Sequence, residues 1–218
     1  MYYYFFLLSF TILGAGIKYI DAAYDEKTFN KKMALIAAPL LGGLWAYTML
    51  INPVSATILL AIICGVFFKG KIDNYAHLVG LLVIISIIII LGVQLLIIPL
   101  IFLAAAALLD EVGNDTMDKY KDRLNKNNIW HQFAIKFFDH RWAMKIAILA
   151  VALAGIIPIF FFLAIVLFDY AYLTVRSYSQ FKQGTLDSWL NLKMSKISDF
   201  ISSHRIVKET VIKDQYDI

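Results

Sequence analysis

From Leu78 to Leu109 the chain runs for 32 residues without a charged side chain. As one straight helix that run would be roughly 48 Å long, against a bilayer hydrocarbon core of roughly 30 Å, so it is too long for a single crossing. Gly92, Val93 and Gln94 interrupt it, and Pro99 follows where a missing N–H costs least, in a first helical turn. The pattern predicts two helices, Ala76 to Leu91 and Leu95 to Leu109, joined by a tight hairpin. Charge bias points the same way. A single crossing would put the Lys/Arg-rich segments flanking the run on opposite membrane faces, whereas a hairpin returns both to one face.

The rest of the chain has the same character. Of its 218 residues 61% are hydrophobic and 17% charged, with a mean hydropathy of +0.72, which is more apolar sequence than one soluble core uses. The class is a polytopic membrane protein. A formal charge of +4 beside such runs reads as a topology signal and not as a nucleic-acid surface. Cys64 is the only cysteine, so there is no internal disulfide and no thiolate metal cluster.

The expected fold is all-α, about seven transmembrane helices in a bundle with interfacial amphipathic helices. The predicted spans are Met1 to Ile20, Met33 to Ile51, Ser55 to Phe68, the two helices of the hairpin, Ala143 to Ile157, and Pro158 to Val175. The first span follows no basic n-region and is read as retained. A long polar loop is expected from Asp110 to Lys145. Within it Ile129, Trp130, Phe133, Phe137 and Phe138 fall on one helical face, as in a helix lying on the membrane surface. The transmembrane domain spans residues 1–177 and a cytosolic amphipathic tail residues 178–218. In the tail Thr185 is the expected N-cap, and Leu186, Trp189, Leu190, Met194, Ile197, Phe200 and Ile201 form a stripe about 140° wide.

Sidedness follows from the three turns at the other face. Asn52-Pro53, Gly92-Val93-Gln94 and Ile157-Pro158 hold no ionisable side chain, so the 20 Lys and Arg, 16 Asp and Glu and 4 His all lie on or near the opposite side. By the positive-inside rule that side is the cytoplasm, which places a multi-pass protein in the cell membrane with its N-terminus outside and its C-terminus cytoplasmic. Spans of 16 residues cross only roughly 24 Å, which calls for helices that extend into their flanks or a locally thinned bilayer.

Carboxylates mark the inner ends of the odd-numbered spans: Asp21 and Asp25, Asp73, then Asp110, Glu111 and Asp115, with Asp169 inside the last. Asp21 and Asp25 are one helical turn apart, as are Glu111 and Asp115, so each pair shares a face and suits a hard divalent cation such as Mg²⁺. Acidic groups oppose the macrodipole at a helix C-terminus, so local helix stability does not explain them. The plainer alternative is a set of solvated charges balanced by Lys18, Lys27, Lys31 and Lys119. Asp169 sits below the membrane surface, facing a bundle interior or pairing with Arg176. His77 is a metal ligand, a phosphate-orienting group or an ordinary interfacial histidine. Lys71, His140 and Arg141 are the candidate phosphate-binding cations.

Asp21-xxx-Asp25 and Glu111-xxx-Asp115, four spans apart on one face, resemble the paired aspartate-rich motifs of UbiA-type intramembrane prenyltransferases. The resemblance implies an all-helical bundle whose two acidic loops bind magnesium and the diphosphate of a polyprenyl donor. Here Tyr19-Ile20 precedes Asp21 where the family motif begins Asn-Asp, and seven spans take the place of spans two to eight of nine. The expected function is therefore a Mg²⁺-dependent transferase acting on a polyprenyl diphosphate or another phosphorylated membrane lipid. A non-catalytic membrane organiser that binds a partner is the alternative. A cation or metabolite transporter is third, disfavoured by outer turns that offer only Asn52, Ser55 and Gln94.

Overall fold

A short polar side chain begins four of the helices. The computed structural model describes residues 2–70, 74–120 and 128–214, with side chains through Ser188 except those of Tyr2 and Leu186. Asn30 accepts a hydrogen bond from Lys32 N and starts α2 (Lys31–Leu50). Asn52 accepts from Val54 N and Ser55 N at the head of α3 (Pro53–Phe68), with Pro53 where its missing N–H leaves nothing unpaired. Asn74 accepts from His77 N and starts α4 (Tyr75–Leu91), and Asn128 does the same for α6 (Ile129–Asp139) through Trp130 N. Each such cap contributes about 1 kcal/mol. The other helices are α1 (Tyr2–Tyr24), α5 (Ile97–Tyr120), α7 (Trp142–Leu153) and α8 (Phe160–Asp214). Among the described residues there is no strand.

The apolar run is broken between Leu91 and Ile97, where Gly92 takes φ +73°. The Leu96 N–H donates to Thr57 Oγ1 at 3.0 Å, which fixes the turn to the start of α3. Pro99 lies in the first turn of α5.

Aromatic contacts join the start of α1 to the start of α8 and the end of α2. Tyr3 meets Phe160 edge-on at 4.7 Å, Phe5 meets Tyr47 at 5.7 Å and Phe6 meets Phe161 at 5.4 Å. Small residues set the helix spacing. Ala38 and Gly42 of α2 face Ala76 and Gly80 of α4, and a methyl group at Gly42 would lie 2.6 Å from the Gly80 carbonyl oxygen. A methyl at Gly65 of α3 would lie 2.9 Å from Ala107 Cβ of α5, and one at Gly14 of α1 would collide with the Phe168 carbonyl of α8. Such close approach is how helices associate where lipid offers no hydrophobic drive. Outward faces stay apolar, with Ile89 77% and Ile98 82% exposed, far more than a water-facing surface tolerates.

Several boundaries differ from the sequence reading by two to four residues, and two differ by more. The loop expected from Asp110 is helical to Tyr120, because Asp110 and Glu111 are buried and Gly113 packs closely on Phe138 of α6, so tertiary contacts carry α5 past its apolar part. The tail does not restart at Thr185, since α8 is continuous to Asp214. The Thr185 hydroxyl donates back to Lys182 O at 2.8 Å instead of capping a new helix. The chain divides into two units, Met1–Arg176 and Ser177–Ile218. The tail stripe from Leu186 to Ile201 lies outside the side chains described.

Candidate functional site

At the end of α1 the Asp25 N–H donates to Asp21 O at 2.8 Å, so one further turn keeps both carboxylates on one face. Lys27, at φ +55°, then reverses the chain, and Thr28 N closes the turn on Ala22 O. Across from this face, the Asn74 cap sets the first turn of α4 and presents His77, whose Nε2 is 2.5 Å from Asp21 Oδ1. The Tyr172 hydroxyl of α8 donates to Asp21 Oδ2 at 3.3 Å. Glu111 and Asn114 share a face of α5. Arg141, which precedes α7, sets its Nη2 3.3 Å from Glu111 Oε1 and its guanidinium 4.6 Å from the Tyr172 ring centre.

These groups line one cavity of about 280 Å³. Asp21, Asp25, His77, Glu111, Asn114, Arg141 and Tyr172 form its polar part, and Leu41, Trp45, Ile63, Leu81 and Ile84 are among the apolar side chains that complete it. The small residues at the α2/α4 contact, Ala38, Gly42, Ala76 and Gly80, also line it, so the packing that brings those helices together shapes the cavity wall. Three carboxylates here face a single arginine, which leaves the polar part negative. Burial disfavours charge on Arg141, yet the Tyr172 hydroxyl and the carboxylates of Glu111, Asp169 and Asp21 around it outweigh this and raise its pKa above the ordinary arginine value.

The remaining predicted groups lie elsewhere. Asp110 accepts from Ala143 N at 3.0 Å and Met144 N at 2.7 Å, capping α7 from a neighbouring helix. Asp115 pairs with Lys69 at 3.0 Å. Asp169 pairs with Lys145 at 2.5 Å, and Arg176 takes Asp139 instead, at 2.6 Å. The His140 ring is 3.0 Å from Lys136 O. Lys71 and Asp73 lie outside the described residues. Asp110, Asp169 and Lys145 border a smaller chamber of about 40 Å³ that shares Glu111 and Arg141 with the main cavity. Tyr172 and Asn114 are site residues that the sequence reading missed. Both follow a recognised carboxylate by three residues on a helix, which is the one signal that points to them.

Among the described residues no three His, Cys, Asp or Glu side chains are grouped to hold a metal ion by themselves. The donor set still fits Mg²⁺, which is normally bound by one or two carboxylates and completes its shell with water and substrate phosphate. Asp21 and Asp25, hard oxygen donors one turn apart on the cavity wall, match that requirement.

Among the described residues four segments are long and apolar enough to cross a membrane, in α1, α2, α5 and Phe160–Thr185 of α8. The fold class is therefore that of an all-helical membrane protein. Set against known proteins, the chain matches no family model, no curated protein and no solved structure.

Proposed function

We propose that the cavity binds a long-chain lipid by its phosphorylated headgroup together with Mg²⁺, and that the protein is a transferase of the intramembrane prenyltransferase kind acting on a polyprenyl diphosphate. The observation that carries this reading is the amphiphilic lining of one cavity, acidic groups from α1 and α5 at one part and apolar side chains from α2, α3 and α4 at the other. Asp21 and Asp25 hold the metal, with Glu111 and Asn114 beside it. Arg141 and His77 donate to phosphate oxygens, and the apolar wall takes the start of the chain. The metal supplies neutralisation of the diphosphate. The protein's own groups would orient the headgroup while the allylic C–O bond breaks, the diphosphate leaving with the bonding electron pair and the carbon bonding to a nucleophilic acceptor that gives up a proton.

In this reading α3, α4 and α7, of 16, 17 and 12 residues, cross the membrane as well. That gives seven spans in a locally thinned bilayer, the N-terminus outside, and the cavity open to the cytoplasm. The organiser alternative is favoured by one observation, the exposed row Ile129, Trp130 and Phe133 on α6, which suits a lipid surface and needs no cavity. Calorimetric binding of Mg²⁺ and farnesyl thiodiphosphate, an unreactive diphosphate analogue, separates the two readings.

A further inference from the structure

Arg141 has a left-handed backbone, φ +48° and ψ +49°, and no cap of its own side chain for the helix it begins. A non-glycine residue holds that conformation only where its surroundings impose it, and such positions concentrate at binding sites. Its surroundings do so from both sides. On the near side the Lys145 ammonium donates to His140 O at 2.5 Å, and on the far side the two Asp110 oxygens take Ala143 N and Met144 N. Lys145 is itself anchored by Asp169 at 2.5 Å. Asp169 lies one turn before Tyr172 on α8, so one helix face anchors Lys145 and also supplies the ring on which the Arg141 guanidinium stacks.

Lys145 and Asp169 are both buried, with side chains 8% and 7% exposed. A buried ion pair is weak evidence of stabilisation, since an apolar pair of similar volume does as well or better. Asp110 is 2% exposed and has both oxygens occupied by backbone N–H groups. None of the three lines the main cavity.

We infer that Asp110, Lys145 and Asp169 are positioning residues that hold Arg141 in its left-handed turn and aim its guanidinium at the headgroup phosphate. This rests on the cavity reading above. It predicts that the three act on ligand only through Arg141.

The test is calorimetric binding of farnesyl thiodiphosphate with Mg²⁺ to the full-length protein in detergent. Four proteins are compared: unsubstituted, Arg141→Gln, Lys145→Met/Asp169→Leu, and the triple variant. The apolar pair keeps the volume and removes the tie to His140 O. Loss of a charge-assisted phosphate contact should weaken binding about tenfold in Arg141→Gln. The apolar pair should weaken it by a similar factor and add nothing in the triple variant, which is the non-additivity expected of groups acting through one another. If the apolar pair does not fold, Asp110→Asn, which spares one of the two backbone bonds, takes its place in the same cycle. Binding unchanged in the substituted protein, or losses that multiply fully with Arg141→Gln, would overturn the inference. Absence of binding to the unsubstituted protein would overturn the cavity reading, and the inference with it.

Discussion

Asp110 and Glu111 are neighbours in the chain and have opposite tasks. The first caps α7 through Ala143 N and Met144 N, and the second faces the cavity 3.3 Å from Arg141. Substitution should separate them. Asp110→Ala leaves two buried N–H groups unpaired and should lower stability by about 2 to 3 kcal/mol in reversible unfolding. Glu111→Gln keeps the shape and an oxygen that accepts from Arg141, and should cost less stability than Asp110→Ala while altering ligand binding. Equal stability losses would argue against the division.

Close packing of α2 on α4 gives a second test. Gly42→Ala places a methyl 2.6 Å from the Gly80 carbonyl oxygen, whereas one at Gly43 meets nothing within 4 Å. The first substitution should cost about 1 to 3 kcal/mol, as overpacking does, and should also disturb the cavity wall that Gly42 lines. Gly43→Ala should be neutral or stabilise α2 by up to about 1 kcal/mol. Thermal unfolding in one detergent compares the two directly.

The polar part of the cavity is internally paired, Asp21 with His77 and Glu111 with Arg141. Phosphate draws His77 and Arg141 away and leaves carboxylate oxygen for the metal, so each ligand should aid the other. Mg²⁺ affinity should rise at least about fivefold when farnesyl thiodiphosphate is present, and the analogue's affinity should rise by the same factor with Mg²⁺. Titrations of each ligand with and without the other measure both sides of this cycle. Independent binding would argue against the exchange of partners.

The two-sided topology is testable with single cysteines on a Cys64→Ala background. A cysteine at Gly92 should react with an impermeant thiol reagent in intact cells, and one at Tyr120 only after permeabilisation. Reaction at Tyr120 in intact cells would reverse the orientation.

Much of this architecture was legible in the sequence, for identifiable reasons. The break between Leu91 and Ile97 was readable because a 32-residue apolar run exceeds the bilayer and because Gly92 and Pro99 have few roles inside a helix. The helix from Ile129 was readable from its apolar spacing. Asp21, Asp25, Glu111, His77 and Arg141 were singled out by residue type and position, and they line a common cavity. Asp110 and Asp169 were grouped with them because a sequence shows a carboxylate without its partner. Their capping and pairing involve backbone and lysine 33, 34 and 24 residues away. The ends of α5 and α8 were misjudged for a related reason. Polar composition marks where a membrane span loses its apolar character, and a helix continues past that point when tertiary contacts or its own propensity sustain it.

The central claim is that acidic and apolar parts of one cavity bind a phosphorylated lipid with Mg²⁺, and calorimetry of farnesyl thiodiphosphate in the presence of Mg²⁺ tests it most directly. The unsubstituted protein should bind with one-site stoichiometry, binding should weaken at least about fivefold when Mg²⁺ is chelated, and Asp25→Asn should bind no better with Mg²⁺ than without it, at an unchanged unfolding temperature of the ligand-free protein. Binding equally tight with and without Mg²⁺ in the unsubstituted protein, or no binding at all, would contradict the account.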